Sequence, residues 1–314
     1  MNLHSNKTLF ENIIRATSEK YKINPIFIEK DYWITKALYH LSISEYCENV
    51  VFKGGTSLSK AYQIIQRFSE DIDIAILHQE SFTGNQVKSL IRNVEKSLAT
   101  DLEEIEYNNL TSKGSRFRKS VYQYVSVDKL NKSNRLIMEI NSFANPIPFE
   151  KLPIKSFVYD FLVNENRSDY IEQYLLNPFE INVLSKNQTL LEKLVSLIRF
   201  SFDEDIVRSL SSKIRHFYDI YFLLSDKDCV SFVYSTSFFE QFQILLVHDQ
   251  QTFNEPIGWR EKSLVASPLI SNFQSLWEQL KEQYTNELSV LAFREIPSED
   301  DVRIKFEELL TLLK

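Results

Sequence analysis

Cysteine is nearly absent from this chain. Cys47 and Cys229 are the only two in 314 residues, which leaves no disulfide framework or cysteine-based zinc site and fits a reducing compartment. Glycine is scarce at five residues, proline numbers eight, and no tract is of low complexity, so long flexible linkers are not expected. No apolar run approaches the ~20 residues of a membrane-spanning helix, and the opening MNLHSNKTLFENIIRAT lacks the apolar centre of a secretory signal. These absences predict a cytoplasmic protein with no membrane partner. Net positive charge is missing too. At −7 the whole surface opposes non-specific nucleic-acid binding, so an RNA substrate would require a local basic channel.

What is present is an ordinary globular mixture, 43% hydrophobic and 25% charged. The length suits one large or two modest domains. Aromatic residues are abundant, with 23 Phe and 15 Tyr, and read as a Phe-packed core rather than as platforms for stacking bases.

Two of the five glycines, Gly54 and Gly55, fall in VVFKGGTSLSKAYQIIQRFSEDIDIAIL, residues 50–77. The stretch reads as strand, glycine turn, helix, loop and strand. Thr56 and Ser57 stand where an N-cap belongs, ahead of LSKAYQIIQ with its helical spacing. In the second strand Asp71 and Asp73 share one face, while Ile72 and Ile74 point into a core on the other. Alone, Gly-Gly-Thr-Ser is a capped tight turn and Asp-x-Asp a solvated edge. Together they suggest more. Adjacent carboxylates repel unless a cation joins them, and Mg²⁺ typically takes one or two carboxylates plus substrate phosphates. A Gly-Gly turn lets backbone N–H groups approach a phosphate. The combination is the layout of a phosphoryl- or nucleotidyl-transfer site.

Upstream, Leu9–Thr17 and Pro25–Leu41 read as helices, with Lys30 and Asp31 on a solvated face. Downstream, Val87–Leu98 reads as a helix, and Leu102–Asn108, the segment around Phe117–Val127 and Arg135–Phe143 as strands, which suits a mixed sheet. Glu139, between Met138 and Ile140, is a carboxylate in an apolar strand, costly unless paired or metal-bound, or else an outward-facing edge residue. IKSFVYDFLV reads as a strand, DYIEQYLL as a helix and PFEINVLS as a further strand. From Asn187 the texture is helical, with helices over 187–202, Ile206–Leu224, Ser235–Val247, Ile270–Tyr284 and Asp300–Leu313. In the last, Val302, Phe306, Leu309, Leu310 and Leu313 share a stripe that Ile304 leaves. Lys193 and Arg199 snorkel from their helix. Asp219, embedded in HFYDIYFLL, needs a cation, and Lys193 and Arg215 are available. Gly258-Trp259-Arg260 reads as a structural loop. Lys113, Arg116, Arg118, Lys119, Lys129, Lys132 and Arg135 form the densest basic cluster, which reads equally as an RNA approach or as a solvated hairpin.

Gly54-Gly55-Thr56-Ser57 followed by Arg67-Phe68-Ser69-Glu70-Asp71-Ile72-Asp73 resembles the signature of the DNA polymerase β-like nucleotidyltransferases, and within them the AbiEii/AbiGii toxins of abortive-infection and toxin–antitoxin systems. Glu29-Lys30-Asp31-Tyr32-Trp33, Leu191-Glu192-Lys193-Leu194 and Arg215-His216-Phe217-Tyr218-Asp219-Ile220-Tyr221 are similar to further phrases of that family, and the likeness spans roughly residues 25–225. His216 departs from it, since Asp is common there. The resemblance implies an α+β fold: a polymerase β-like core with a mixed sheet over residues 1–185, then a helical domain over 186–314 contributing to the active-site cleft. It implies a Mg²⁺-dependent enzyme moving NMP from an NTP to an RNA end, tRNA first among candidates, with pyrophosphate released. Gly54, Gly55, Thr56, Ser57 and Lys193 would hold the nucleotide. Asp71 and Asp73, with Glu139 as third carboxylate (Asp128 the weaker rival), would bind two Mg²⁺, and Lys193 and Asp219 would complete the catalytic set. Asp219 would orient Lys193 or act as base. A cognate antitoxin encoded nearby is the implied partner. Two other readings stay open: an NMP-transferring enzyme acting on a protein hydroxyl, and a nucleotide-binding regulator without catalysis.

Overall fold

The computed structural model describes residues 1–69, 71–77, 82–107, 110–128 and 133–313. The chain forms two compact units: residues 1–63 with 68–184, and residues 64–67 with 185–314.

The first unit opens with α1 (Lys7–Tyr21) and α2 (Pro25–Ser42). Asn24 caps α2 by accepting from the Ile26 N–H, and Pro25, which has no N–H to leave unpaired, takes the first helical position. Then come β1 (Val50–Lys53), α3 (Gly54–Lys60), β2 (Asp71–Ile76) and α4 (Gly84–Leu98), the last begun by a Thr83/Gln86 capping box. The remaining elements are β3 (Glu103–Ile105), β4 (Ser112–Lys113), β5 (Phe117–Gln123), β6 (Arg135–Asn141), β7 (Phe149–Ile154), α5 (Phe157–Asn164), α6 (Ser168–Gln173) and β8 (Phe179–Leu184). The strands make a mixed sheet in the order β3-β5-β6-β2-β1-β8-β7, with β4 paired to β5. β2 runs antiparallel to β1 and parallel to β6.

Several expectations fail in this unit. The helix after the glycine turn ends at Lys60, and Gln63 takes a left-handed conformation, φ 56°, which stops the run that LSKAYQIIQ suggested. IKSFVYDFLV is strand only to Ile154. Ser156 then caps α5, accepting from the Tyr159 N–H, and Val158 and Leu162, four residues apart, form its buried face. Lys30 and Asp31 do not lie on a solvated face. α2 packs against α1, α4, α5, β6 and β8, so its charged residues are enclosed as well. Glu29 accepts from the Ser126 hydroxyl and the Val127 N–H, both at 2.7 Å. Asp31 accepts from Lys60 Nζ at 2.5 Å and from the Phe157 N–H at 2.9 Å. The phrase EKDYW thus ties the loop after β5, the end of α3 and the start of α5 to one helix.

The second unit is helical: α7 (Lys186–Phe200), α8 (Ile206–Ser211), α9 (Ile214–Leu223), α10 (Lys227–Val233), α11 (Phe238–Thr252), α12 (Pro268–Ser271), α13 (Phe273–Leu291) and α14 (Glu299–Thr311). The helix expected over Ile206–Leu224 is broken between α8 and α9. Phe217, Phe273, Trp277 and Phe306 pack as one aromatic group, with centroids 4.8–6.0 Å apart. Ile304, off the α14 stripe, is exposed as its position suggested. Arg199 lies 4.0 Å from the Phe253 ring centroid, which gives this cation a place on an apolar helix. Trp259 is buried and donates to the Phe253 carbonyl, so its loop is structural. Among the described residues no helix is long and apolar enough to cross a membrane.

Candidate active site

The first unit carries the glycine turn and the carboxylates. β2 alternates as its sequence dictates: Ile72 and Ile74 are fully buried, while Asp71 and Asp73 are partly exposed on the opposite face. Strand register extends this face sideways. Glu139 of β6 lies beside Asp73, Lys119 of β5 opposite Glu139, and Lys53 of β1 opposite Asp73. Residues in register share a face, so one row crosses four strands as Lys119, Glu139, Asp73, Lys53. Glu139 is therefore neither an isolated buried charge nor an edge residue. It accepts from Lys119 Nζ at 2.6 Å, with both side chains about a quarter exposed. Burial works against the charge on Lys119, but the bond to Glu139 and the fields of Glu139, Asp71 and Asp73 prevail and raise its pKa.

The glycine turn packs directly on this row. Gly54 has φ +78°, and a Cβ built there would lie 2.0 Å from Asp73 Oδ2. Only glycine allows both the backbone conformation and the approach of the carboxylate. Thr56 and Ser57 are not caps. The helix begins at Gly54 and both residues sit buried in its first turn. Thr56 Oγ1 donates to the Asp71 carbonyl, and Ser57 Oγ donates to the Gly54 carbonyl at 2.9 Å. The hydroxyls thus hold the turn against β2 and are spent on that task.

Three carboxylates offer hard oxygen donors, the chemistry that suits Mg²⁺. Among the described residues, however, no three His, Cys, Asp or Glu side chains converge closely enough to make a ready metal centre. In this arrangement Glu139 is engaged by Lys119. Asp71 and Asp73 on their shared face fit a divalent ion; Glu139 fits as a third donor only by leaving its lysine.

The second unit carries Lys193 and Asp219, and it brings them together. Asp219 is completely buried; its Oδ2 lies 2.8 Å from Lys193 Nζ. Its other partner is Arg67, which donates from Nε to Oδ1 at 2.8 Å and from Nη2 to Oδ2 at 2.7 Å. This fork-to-carboxylate pair is the strongest geometry available to the two groups. Arg215, the alternative considered from sequence, pairs with Glu287 instead. Arg67 arrives on the short segment 64–67, which is held through its backbone. The Gln66 N–H donates to Tyr218 Oη, the Phe293 N–H donates to the Gln66 carbonyl, and Arg67 bridges Ala292. Burial opposes the charge on Asp219, but Arg67 and Lys193 overcome it and hold the carboxyl well below its usual range. His216 is kept neutral by burial and then by Lys193, with Lys213 and Arg67 adding to the effect against Asp219. Its Nδ1 has no hydrogen-bond partner among the described residues.

Sequence reasoning missed Arg67. The signal was present, because a buried mid-helix Asp demanded a cation, but the partner lies 152 residues away. The basic cluster proves to be several separate groups. Strand alternation sends Arg118 and Lys119 to opposite faces, where they pair with Glu95 and Glu139. Lys113 pairs with Glu104 and Arg135 lies over the Tyr107 ring. Lys129 and Lys132 lie outside the described residues.

No curated protein matches the chain. Among solved structures it is similar to a candidate nucleotidyltransferase from H. pylori, with 13% identity and a TM-score of 0.41 over 93% of this chain and 96% of that one. It is also similar to MenT4, a nucleotidyltransferase toxin from Mycobacterium tuberculosis H37Rv, with 15% identity and a TM-score of 0.38 over 91% and 92%. The assignment rests not on these distant likenesses but on a family profile, described as nucleotidyl transferase AbiEii toxin of type IV toxin–antitoxin systems, which matches residues 36–307. The chain belongs to the AbiEii family and is a nucleotidyltransferase toxin of a type IV toxin–antitoxin system.

Proposed function

We propose that the protein transfers NMP from an NTP to the end of an RNA, tRNA being the acceptor to test first, and releases pyrophosphate. The observation that carries this reading is the packing of Asp73 on Gly54, which sets a carboxylate face beside a backbone able to approach phosphate. Asp71 and Asp73, joined by Glu139, are the residues that would hold Mg²⁺. When bound, the ion would neutralise and align phosphate oxygens. The backbone N–H groups of Gly54 and Gly55 face the phosphates, while Thr56 and Ser57 brace that turn through their internal bonds. By the family resemblance Lys193 belongs to the catalytic set, in which a lysine serves as a point cation. Asp219 orients Lys193 rather than acting as base, because a carboxyl held ionised by two cations is a poor proton acceptor.

The test is transfer of label from each of the four α-³²P NTPs, with Mg²⁺, into total RNA and protein, beside Asp73→Ala. Label in a tRNA-sized band that vanishes in the variant is the expected result and names the nucleotide. Label confined to protein would replace the acceptor, and full activity in Asp73→Ala would remove the metal assignment.

A further inference from the structure

Lys119 has no part in the catalytic set described above, yet it is built into the row that carries the carboxylates. Its place is fixed by the same register that aligns Glu139 with Asp73. Its ammonium lies 2.6 Å from Glu139 Oε1, with both side chains about a quarter exposed. The row it heads is ordered cation, anion, anion, cation, so a lysine flanks the two adjacent carboxylates on each side. The strand's other basic side chain, Arg118, leaves through the opposite face to Glu95.

We propose that Lys119 is a built-in competitor for the divalent cation: it occupies Glu139, withholds that carboxylate from the metal-binding set, and so sets the ion concentration at which the site fills. The inference rests on the reading of Asp71 and Asp73 as the divalent site. Binding of an ion to Asp71 and Asp73 alone leaves the Lys119–Glu139 pair intact and weakens the ion through the nearby ammonium. Binding with Glu139 included requires the ammonium to move away. Only the second mode routes the effect of Lys119 through Glu139, and it is the one proposed: removing the lysine frees that carboxylate and strengthens binding. A lysine that served only to relieve repulsion between carboxylates in the folded chain would affect stability equally, but a contribution routed through Glu139 has a separate signature.

The experiment is Mn²⁺ binding to the full chain, read from the electron paramagnetic resonance of the free ion at constant pH and ionic strength. The proteins are the parent, Lys119→Met, Lys119→Gln, Glu139→Gln, the double variant Lys119→Met/Glu139→Gln and Asp73→Asn. Circular dichroism confirms the fold of each. Lys119→Met and Lys119→Gln should bind Mn²⁺ roughly tenfold more tightly than the parent, the scale on which one neighbouring charge alters another group's ion equilibrium. The double variant should lose most of that gain, because the released carboxylate is no longer there. Unchanged or weaker binding in both lysine variants, with Asp73→Asn still abolishing it, overturns the role of Lys119 alone. Parent-level binding in Asp73→Asn overturns the divalent reading on which the inference rests, and the inference with it.

Discussion

Replacing Asp219 by Asn would remove one charge and leave two cations buried. Arg67 is 3% exposed and Lys193 6%, and the carboxylate that serves both is completely enclosed. Taking one member from a buried ion pair typically costs 3–5 kcal/mol, because the survivor stays desolvated without its counter-charge. Here two survivors share the loss, so the upper part of that range, about 4–5 kcal/mol, applies to the second unit. Against a typical stability of roughly 5–15 kcal/mol, the variant would be folded but marginal. Urea unfolding followed by tryptophan fluorescence is a suitable assay, since Trp259 and Trp277, two of the three tryptophans, are buried in this unit. With a slope of about 2.5 kcal/mol per molar, the transition should move down by roughly 1.5–2 M. The loss should also depend on pH. The folded carboxyl sits below its unfolded value, so its stabilisation is complete above the ordinary carboxylate range and is lost as pH falls through the folded value. The difference between parent and Asn variant should therefore be constant near neutrality and shrink only in acid. A control separates charge from shape: Arg67→Met/Lys193→Met/Asp219→Leu removes all three groups and should be far less destabilising than Asp219→Asn. A shift under about 0.3 M in the single variant, or a triple variant worse than the single one, would refute the argument that the three charges are held by one another.

Three more outcomes are expected. Gly54→Ala should abolish nucleotide transfer and lower stability by about 1–3 kcal/mol, because the residue must keep a positive φ while its new Cβ strikes Asp73; near-normal turnover would show that the turn and the carboxylate move independently. His216 has a folded pKa below its unfolded one, so the folded protein resists a proton that the unfolded chain accepts, and stability falls as pH drops below about 6.5. His216→Gln should flatten that decline, which one proton limits to about 1.4 kcal/mol per pH unit, and thermal unfolding between pH 7.5 and 5 would measure it. Phe306→Ala should cost about 3–5 kcal/mol and Ile304→Lys less than about 0.5, since one residue is in the aromatic core and the other exposed on the same helix; similar midpoints in denaturant would overturn the burial pattern of α14.

Local periodicity made much of this molecule legible. Asp71 and Asp73 could be placed on one face because strands alternate, and the β2 core residues followed without further information. The helical second unit could be read from Leu190 to Leu313 for the same reason. What failed was decided at longer range. IKSFVYDFLV has the aromatic and branched residues of a strand, but the Ser156 cap and the spacing of Val158 and Leu162 make a short helix once a surface exists to bury them. Lys30 and Asp31 looked solvated because charged residues usually are; their burial depends on Lys60 and Phe157, which no window around residue 30 contains. The demand that Asp219 made for a cation was visible, while the identity of Arg67 required the fold. Glu139 could be suspected from its apolar neighbours, but its lysine partner is set by strand register, which pairs residues 119 and 139 across a hairpin.

The row on the sheet face has a consequence for how the toxin comes into being. Its members are residues 53, 73, 119 and 139, each from a different strand, and β1 gains its second neighbour only when β8, ending at Leu184, has been made. None of these contacts is local, and non-local pairing is the slow part of folding. A chain halted during synthesis before residue 135 carries the glycine turn and both β2 aspartates but not the strand that aligns Glu139 and receives Lys119. The face is thus completed by late-arriving sequence. Partial products would carry the motif without the arrangement, and the aligned carboxylate face would appear together with the finished sheet rather than ahead of it.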